Sequence, residues 1–229
     1  MTITPTTLTR SAAVAAIAAG LIFIGIQIGH PRSDVAAVTT TEWAVRNSFK
    51  VVMAALALAG ISGMYLRQVK QIGPLGLVGY LLFSAGYLSI MSAAFVSAYV
   101  LPTIAEADPG YVDDVLAVAT NGTATGDIGL MRAALTVSGI TFLGGGLIFG
   151  IALYRARVLA RWASALLAVA SLLTVTLAVL PDAFYRLLAF PNAIAMIGLG
   201  YSLWLTTRTE TTTPPSGIDT RPLPAASLQ

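Results

Sequence analysis

The stretch "ISGMYLRQVKQIGPLGLVGYLL", residues 61–82, decides the fold class. An apolar run closes on Tyr65 and Leu66, a short polar turn carries Arg67 and Lys70, and a second apolar run opens at Pro74. Two apolar runs joined by a short basic turn read as a membrane hairpin. Each run meets the ~20 residues needed to cross a hydrocarbon core, and lysine and arginine collect in the short loops that are not translocated. Pro74, with no N–H to donate, suits the first turn of a helix.

Working outward, six apolar runs appear at 11–29, 46–66, 74–101, 128–153, 161–180 and 183–205. They predict an all-α, polytopic membrane domain over 1–205 with six transmembrane helices and both termini cytoplasmic. An acidic outer loop is expected over 102–127, and a disordered cytoplasmic tail rich in Thr, Pro and Ser over 206–229. Pro191 is expected to kink the sixth helix. The first run could be a signal peptide, since Arg10 precedes it and Val35-Ala36-Ala37 resembles a cleavage site. Pro31, Arg32 and Asp34 place that site too far from the apolar run, so the expectation is an uncleaved helix. Composition agrees: of 229 residues 56% are apolar and 10% charged, with a mean hydropathy of +0.81, against roughly 25% charged residues in soluble domains. There is no cysteine, which excludes disulfides and thiolate chemistry. The basic residues are scattered in loops rather than gathered in a stripe, which argues against nucleic acid.

Orientation follows from the cations. An inner N-terminus places Arg10, Arg67, Lys70, Arg155, Arg157, Arg161, Arg208 and Arg221 inside. Arg32, Arg46, Lys50, Arg132 and Arg186 then lie outside, with eight of the ten acids. The expected location is the cytoplasmic (plasma) membrane, multi-pass. Trp162 and Trp204 inside and Trp43 outside are expected as interfacial anchors.

Gly60-Ile61-Ser62-Gly63 has the pattern with which rhomboid-type intramembrane proteases present a serine, and His30 is the single histidine. Nucleophile and base must lie within hydrogen-bonding reach. Ser62 falls near the inner surface and His30 near the outer one, separated by on the order of 20 Å at 1.5 Å per residue, so this pair is rejected as a protease site. Small residues at four-residue spacing (Ala12, Ala16 and Gly20; Ala55, Ala59 and Gly63; Ala85, Ser89, Ala93 and Ser97; Gly146 and Gly150) predict close helix packing inside the bundle. In the outer loop, Asp108-Pro109 reads as an N-cap and a first helical residue. Val112, Val115, Leu116 and Ala119 then share the apolar face of a short helix. Glu106, Asp108, Asp113 and Asp114 lack the alternating oxygen ligands of a calcium loop and are expected to be a solvated face.

Each helix entering from outside carries a cation near its start: Arg46 and Lys50, Arg132, and Arg186. A cation there opposes the positive end of its own helix dipole, so something negative must compensate it. With Gln27 and Asn192 as outer-half polar groups, these residues form the candidate ligand-binding set. The structural alternative is snorkelling to headgroups. No zinc-binding histidine pair, paired helical carboxylates or phosphate-binding glycine loop is present, so no catalytic residue, metal or cofactor is expected.

The segments "HPRSDVAAVTTTEWAVRNSFK", 30–50, and "GMYLRQVKQIGPLGLVGYLLF", 63–83, resemble a group of small bacterial multi-pass integral membrane proteins of unknown function. The resemblance implies a cytoplasmic-membrane protein of this length and topology, and brings no catalytic residue with it. The expected function is non-enzymatic, the binding of a lipid headgroup or small anionic ligand at the outer face. The alternatives are a small-molecule transporter or channel, and a structural partner subunit of a membrane complex. The expected partners are membrane lipids, with a membrane-protein partner or a homo-oligomer as further possibilities.

Overall fold

The computed structural model describes residues 4–176 and 189–211, with side chains described through 174 and from 189 to 208. Every regular element among them is helical: α1 Pro5–Gln27, α2 Val35–Val38, α3 Thr41–Arg67, α4 Val69–Tyr99, α5 Leu101–Ala107, α6 Pro109–Ala119, α7 Leu130–Ala156, α8 Arg161–Thr176 and α9 Ala189–Thr211. Four of them, α1, α3, α4 and α7, are long and apolar enough to cross a membrane.

The helix starts follow local chemistry. Thr4 caps α1 ahead of Pro5 by accepting from Thr7 N at 3.2 Å, and Thr40 caps α3 by accepting from Trp43 N at 3.2 Å. Each satisfies one of the amide groups that a helix start leaves unpaired. Gly73 breaks α4 with φ of 64°, a left-handed value that favours glycine. The straight part of α4 therefore begins at Pro74, where the sequence places it.

The long helices pack as a closed ring in chain order: α1 on α3, α3 on α4, α4 on α7, α7 on α8, α8 on α9, and α9 back on α1. Small residues set these seams. Gly60 packs on Ala16, where a Cβ would lie 2.7 Å from the alanine methyl, and Gly63 packs on Ala12. Gly20 meets the α9 backbone at Ala193, and Gly200 meets Ala13 O. Between α4 and α7, glycine and phenylalanine alternate: Gly79 against Phe149, Phe83 against Gly145, and Gly86 against Phe142. Gly150 meets α8, where a Cβ would lie 2.7 Å from Ala168 N.

Several expectations are corrected. Ala12, Ala16, Gly20, Gly146 and Gly150 lie on packing seams, whereas Ala55 and Ala59 are exposed and the buried face of α3 is Met53, Ala54, Ala57, Gly60, Ile61 and Met64. Ala85, Ser89, Ala93 and Ser97 are only half-buried; Gly79 and Gly86 of α4 admit the α7 backbone more closely than any alanine could. The loop over 102–127 is largely helical, because Leu101, Ala105, Val112, Val115, Leu116 and Ile128 close over Trp43 and Val38 in a second apolar cluster. Asp108 caps α6 as expected, accepting from Tyr111 N at 3.0 Å, but Ala119 is exposed. Trp43 is 3% exposed and donates from Nε1 to Ser97 O at 3.0 Å, so it is core, not an interfacial anchor. Trp162 is exposed.

The polar tail begins later than residue 206. Thr206 and Thr207 return their hydroxyl protons to the carbonyls of Leu203 and Trp204, and α9 continues to Thr211. The rest of the tail and the junction between the fifth and sixth apolar runs lie outside the described residues, as does the chain before Ala189 that a kink at Pro191 would redirect.

The α4–α7 seam makes a direct prediction. Gly86→Ala should destabilise the protein by about 1–3 kcal/mol, the usual cost of overpacking, because its Cβ would lie 2.6 Å from the Phe142 nitrogen. Gly144→Ala, with open space at its Cβ position, should change stability by less than about 0.5 kcal/mol. Unfolding by sodium dodecyl sulfate in mixed micelles compares the two.

Candidate functional site

The candidate residues begin at the end of the ring where α1 finishes and α3 starts. Gly29, at φ 62°, turns the chain out of α1, and α3 returns alongside. Arg46 therefore faces the end of α1: its Nη1 donates to Ile26 O at 3.1 Å and to Ile28 O at 2.9 Å, and its Nε donates to Glu42 at 2.9 Å. This guanidinium opposes the dipole of its own helix and complements that of α1, whose last carbonyls have no helical partner. The negative groups it faces are Glu42 and the carbonyl end of α1.

Lys50, one turn further along α3, stands differently. Its Nζ lies 3.3 Å from His30 Nε2, while His30 Nδ1 lies 2.8 Å from Pro31 O and its ring meets Trp43 edge-on at 6.1 Å. Behind Lys50 is a cavity of about 190 Å³ between α1, α3, α4 and α7. Phe23, Ile26, Met53, Ile90 and Phe142 give it apolar walls, and Gln27, Lys50 and Tyr87 are its polar lining. Tyr87 is 2% exposed; its ring packs edge-on against Phe142 at 5.2 Å and tilted against Phe83 at 4.9 Å. Its hydroxyl makes no hydrogen bond among the described residues.

Of the six candidate residues, the structure thus brings Gln27 and Lys50 to one cavity and commits Arg46 to the end of α1. No matching family model, curated protein or solved structure is found for the chain. Arg132 is exposed at the start of α7 and acts on Asp114 of α6. Asn192 is 4% exposed on α9, and its buried Oδ1 has no partner among the described residues. Arg186, and any pairing of it with Asp113, lie outside the described residues.

Tyr87 was not a candidate in the sequence. One tyrosine among many in an apolar run looks like packing, and only the convergence of α1, α3 and α4 sets it beside Lys50. Ser62 lies 3.0 Å from the Tyr80 hydroxyl. His30 is at Lys50, and Lys50 stands twelve residues before Ser62, roughly 18 Å along α3 at 1.5 Å per residue.

Among the described residues, no group of three or more His, Asp or Glu side chains is placed to hold a metal. The acids of α6 have local tasks instead. Asp114 accepts from Thr125 N at 2.6 Å, Thr125 Oγ1 at 3.1 Å and Gly126 N at 2.8 Å. The two backbone N–H groups, with help from the threonine hydroxyl and Arg132, hold its carboxyl below the usual aspartate value.

Two predictions follow from these contacts. Arg46→Gln should destabilise the protein by about 1–3 kcal/mol, because it uncaps two carbonyls at once; removing only the exposed partner with Glu42→Gln should cost less than about 1 kcal/mol. Both are read by the same unfolding assay. Asp114 stabilises its loop in the ionised form, so that contribution is complete above the unfolded carboxyl's range of about pH 4 and is lost as the pH falls through the lower folded value. Amide exchange at Thr125 and Gly126 should accelerate on acidification beyond the intrinsic rate in the wild type. In Asp114→Asn the protection should be weak at every pH.

Proposed function

We propose that this chain is a non-enzymatic, multi-pass protein of the cytoplasmic membrane that binds a small anionic molecule with an apolar body in the Lys50 cavity. The observation that carries the reading is an aromatic and aliphatic cavity whose lining includes Lys50, Gln27 and the buried Tyr87. Mostly apolar walls with a few convergent polar groups are what small-molecule sites have in common. A carboxylate or phosphate would take its hydrogen bonds from Lys50, Gln27 and Tyr87, and its apolar part would lie against Phe23 and Phe142.

Six spans and inward termini belong to the same proposal. Four helices of spanning length, the ring closure by α8 and α9, and the basic turns at Arg67–Lys70 and Arg155–Arg161 support it. On that orientation the Lys50 cavity lies towards the outer face. The resemblance to small bacterial multi-pass proteins is part of this reading and rests on the two quoted segments.

Titration calorimetry with octanoate and with octanol tests the site in the detergent-solubilised protein. Octanoate should bind the wild type and lose about tenfold or more in affinity in Lys50→Met, since a charge-assisted hydrogen bond is lost. Octanol should bind both forms alike. Equal octanoate affinity in both forms would remove Lys50 from any anion site.

A further inference from the structure

At the opposite end of the ring a second concavity has a different character. It is an open groove of about 380 Å³ along α1, walled by Leu56 of α3 and Trp204 of α9. Its floor divides by chemistry. Thr7, Arg10 and Ser11 lie at one end, three and four residues apart and hence on one helix face; Val14, Ala15 and Ala18 continue it as a smooth apolar strip. From Arg10 to Ala18 the groove runs roughly 12 Å at 1.5 Å per residue, which is about the depth of one leaflet of a ~30 Å hydrocarbon core.

Arg10 is held in place before any ligand arrives. Its Nε donates to Thr207 Oγ1 at 3.1 Å, that hydroxyl donates to Trp204 O at 2.7 Å, and the guanidinium carbon stands 5.7 Å from the centre of the Trp204 ring. Its two terminal amino groups make no hydrogen bond among the described residues. A guanidinium fixed through Nε keeps a planar pair of donors suited to two oxygens of a phosphate. Ser11 places a hydroxyl one residue away on the same face. Trp204 beside a cation at the polar end of an apolar strip is also the arrangement found at membrane interfaces.

We propose that this groove binds one anionic glycerophospholipid of the cytoplasmic leaflet, with its phosphate on Arg10 and one acyl chain along Val14, Ala18 and Leu56. The assignment rests on the multi-pass reading above and concerns a site separate from the Lys50 cavity. Charge complementarity selects the occupant: a second copy of this chain would bring its own Arg10 into the groove, whereas a lipid phosphate brings the opposite charge. Thr207 is then a positioning residue, acting through Arg10.

The test is native mass spectrometry of the full chain after incorporation into nanodiscs containing equal parts of phosphatidylglycerol and phosphatidylcholine. The wild type should retain one phosphatidylglycerol in preference to phosphatidylcholine by about tenfold or more. Arg10→Gln should bring that preference close to unity. Arg10→Lys, which keeps the charge and loses the Nε bond to Thr207, should fall between them. Ala18→Phe, which fills the groove with Arg10 intact, should release lipid of either headgroup, and Val14→Trp on the exposed rim gives the same reading should Ala18→Phe fold poorly. Equal retention of the two lipids by wild type and Arg10→Gln would overturn the proposal, as would a lipid-free dimer mass. Protein that fails to enter the nanodiscs would overturn the multi-pass reading along with it, whereas protein that enters and shows no headgroup preference would overturn the lipid site alone.

Discussion

The ring depends on how closely α4 and α7 approach. Their contact is an exchange of glycines for phenylalanines: Gly79 admits Phe149, Gly145 admits Phe83, and Gly86 admits Phe142. Between helices in lipid, removing apolar surface from water contributes nothing to association, and packing and hydrogen bonding hold such helices together. The glycines let the two backbones touch, and the rings of Phe83, Phe142 and Phe149 pack on one another across the seam, at 5.3 Å and 6.2 Å from Phe83, which gives many dispersion contacts. The exchange also fixes register. Sliding α7 by three residues would set the backbone of Phe83 against that of Phe142, two side-chain-bearing residues where the native register pairs each phenylalanine backbone with a glycine. Fixed register in turn sets Tyr87, one residue beyond Gly86, against Phe142, and so forms one wall of the Lys50 cavity.

The ends of the ring are closed by different means, and the difference bears on function. At the Arg46 end, α5 and α6 lay Val112, Val115 and Leu116 over Trp43, and the local acids are used in helix and loop caps, Asp108 at Tyr111 N and Asp114 at Thr125 and Gly126. The cavity behind Lys50 therefore lies below a built cover. At the Arg10 end, two adjacent threonines of α9 tie in the flanking helices: Thr206 accepts from Arg67 of α3 at 3.2 Å, and Thr207 accepts from Arg10 of α1. These bonds are lateral and leave the groove along α1 open on its side.

Much of the bundle was legible in the sequence, because a run of about twenty apolar residues between short basic turns has few other uses. Pro74 and the Asp108-Pro109 cap were legible for the same reason: each residue carries a local backbone preference that needs no tertiary partner. The packing faces were not. Ala55 and Ala59 have the right spacing, and so do Ala12 and Ala16, yet only the second pair is on a seam. In a chain this rich in alanine, spacing marks several faces of each helix and the neighbours choose among them. Trp43 misled in the same way. An aromatic residue near a helix start reads as an interfacial anchor unless α5 and α6 are known to fold over it.

The cations show most clearly what local reading misses. Arg46 and Arg10 look equivalent along the chain, each a lone arginine at the polar edge of an apolar run. Judged against its own helix each is anomalous, since each is the sixth residue of its helix and stands near the positive end of the dipole. In the folded chain the anomaly at Arg46 disappears, because the helix that matters to Arg46 is α1, whose terminal carbonyls it caps with Nη1 while Nε takes Glu42. Arg10 sits at the start of α1 too, but it reaches the end of α9 through Nε alone. The geometry of the guanidinium then decides what each can do. An arginine whose Nη group is spent on carbonyls is a structural cap, and one held by Nε keeps its paired donors for a partner outside the fold. That distinction is set by which atom makes the bond, information that residue type and position cannot carry.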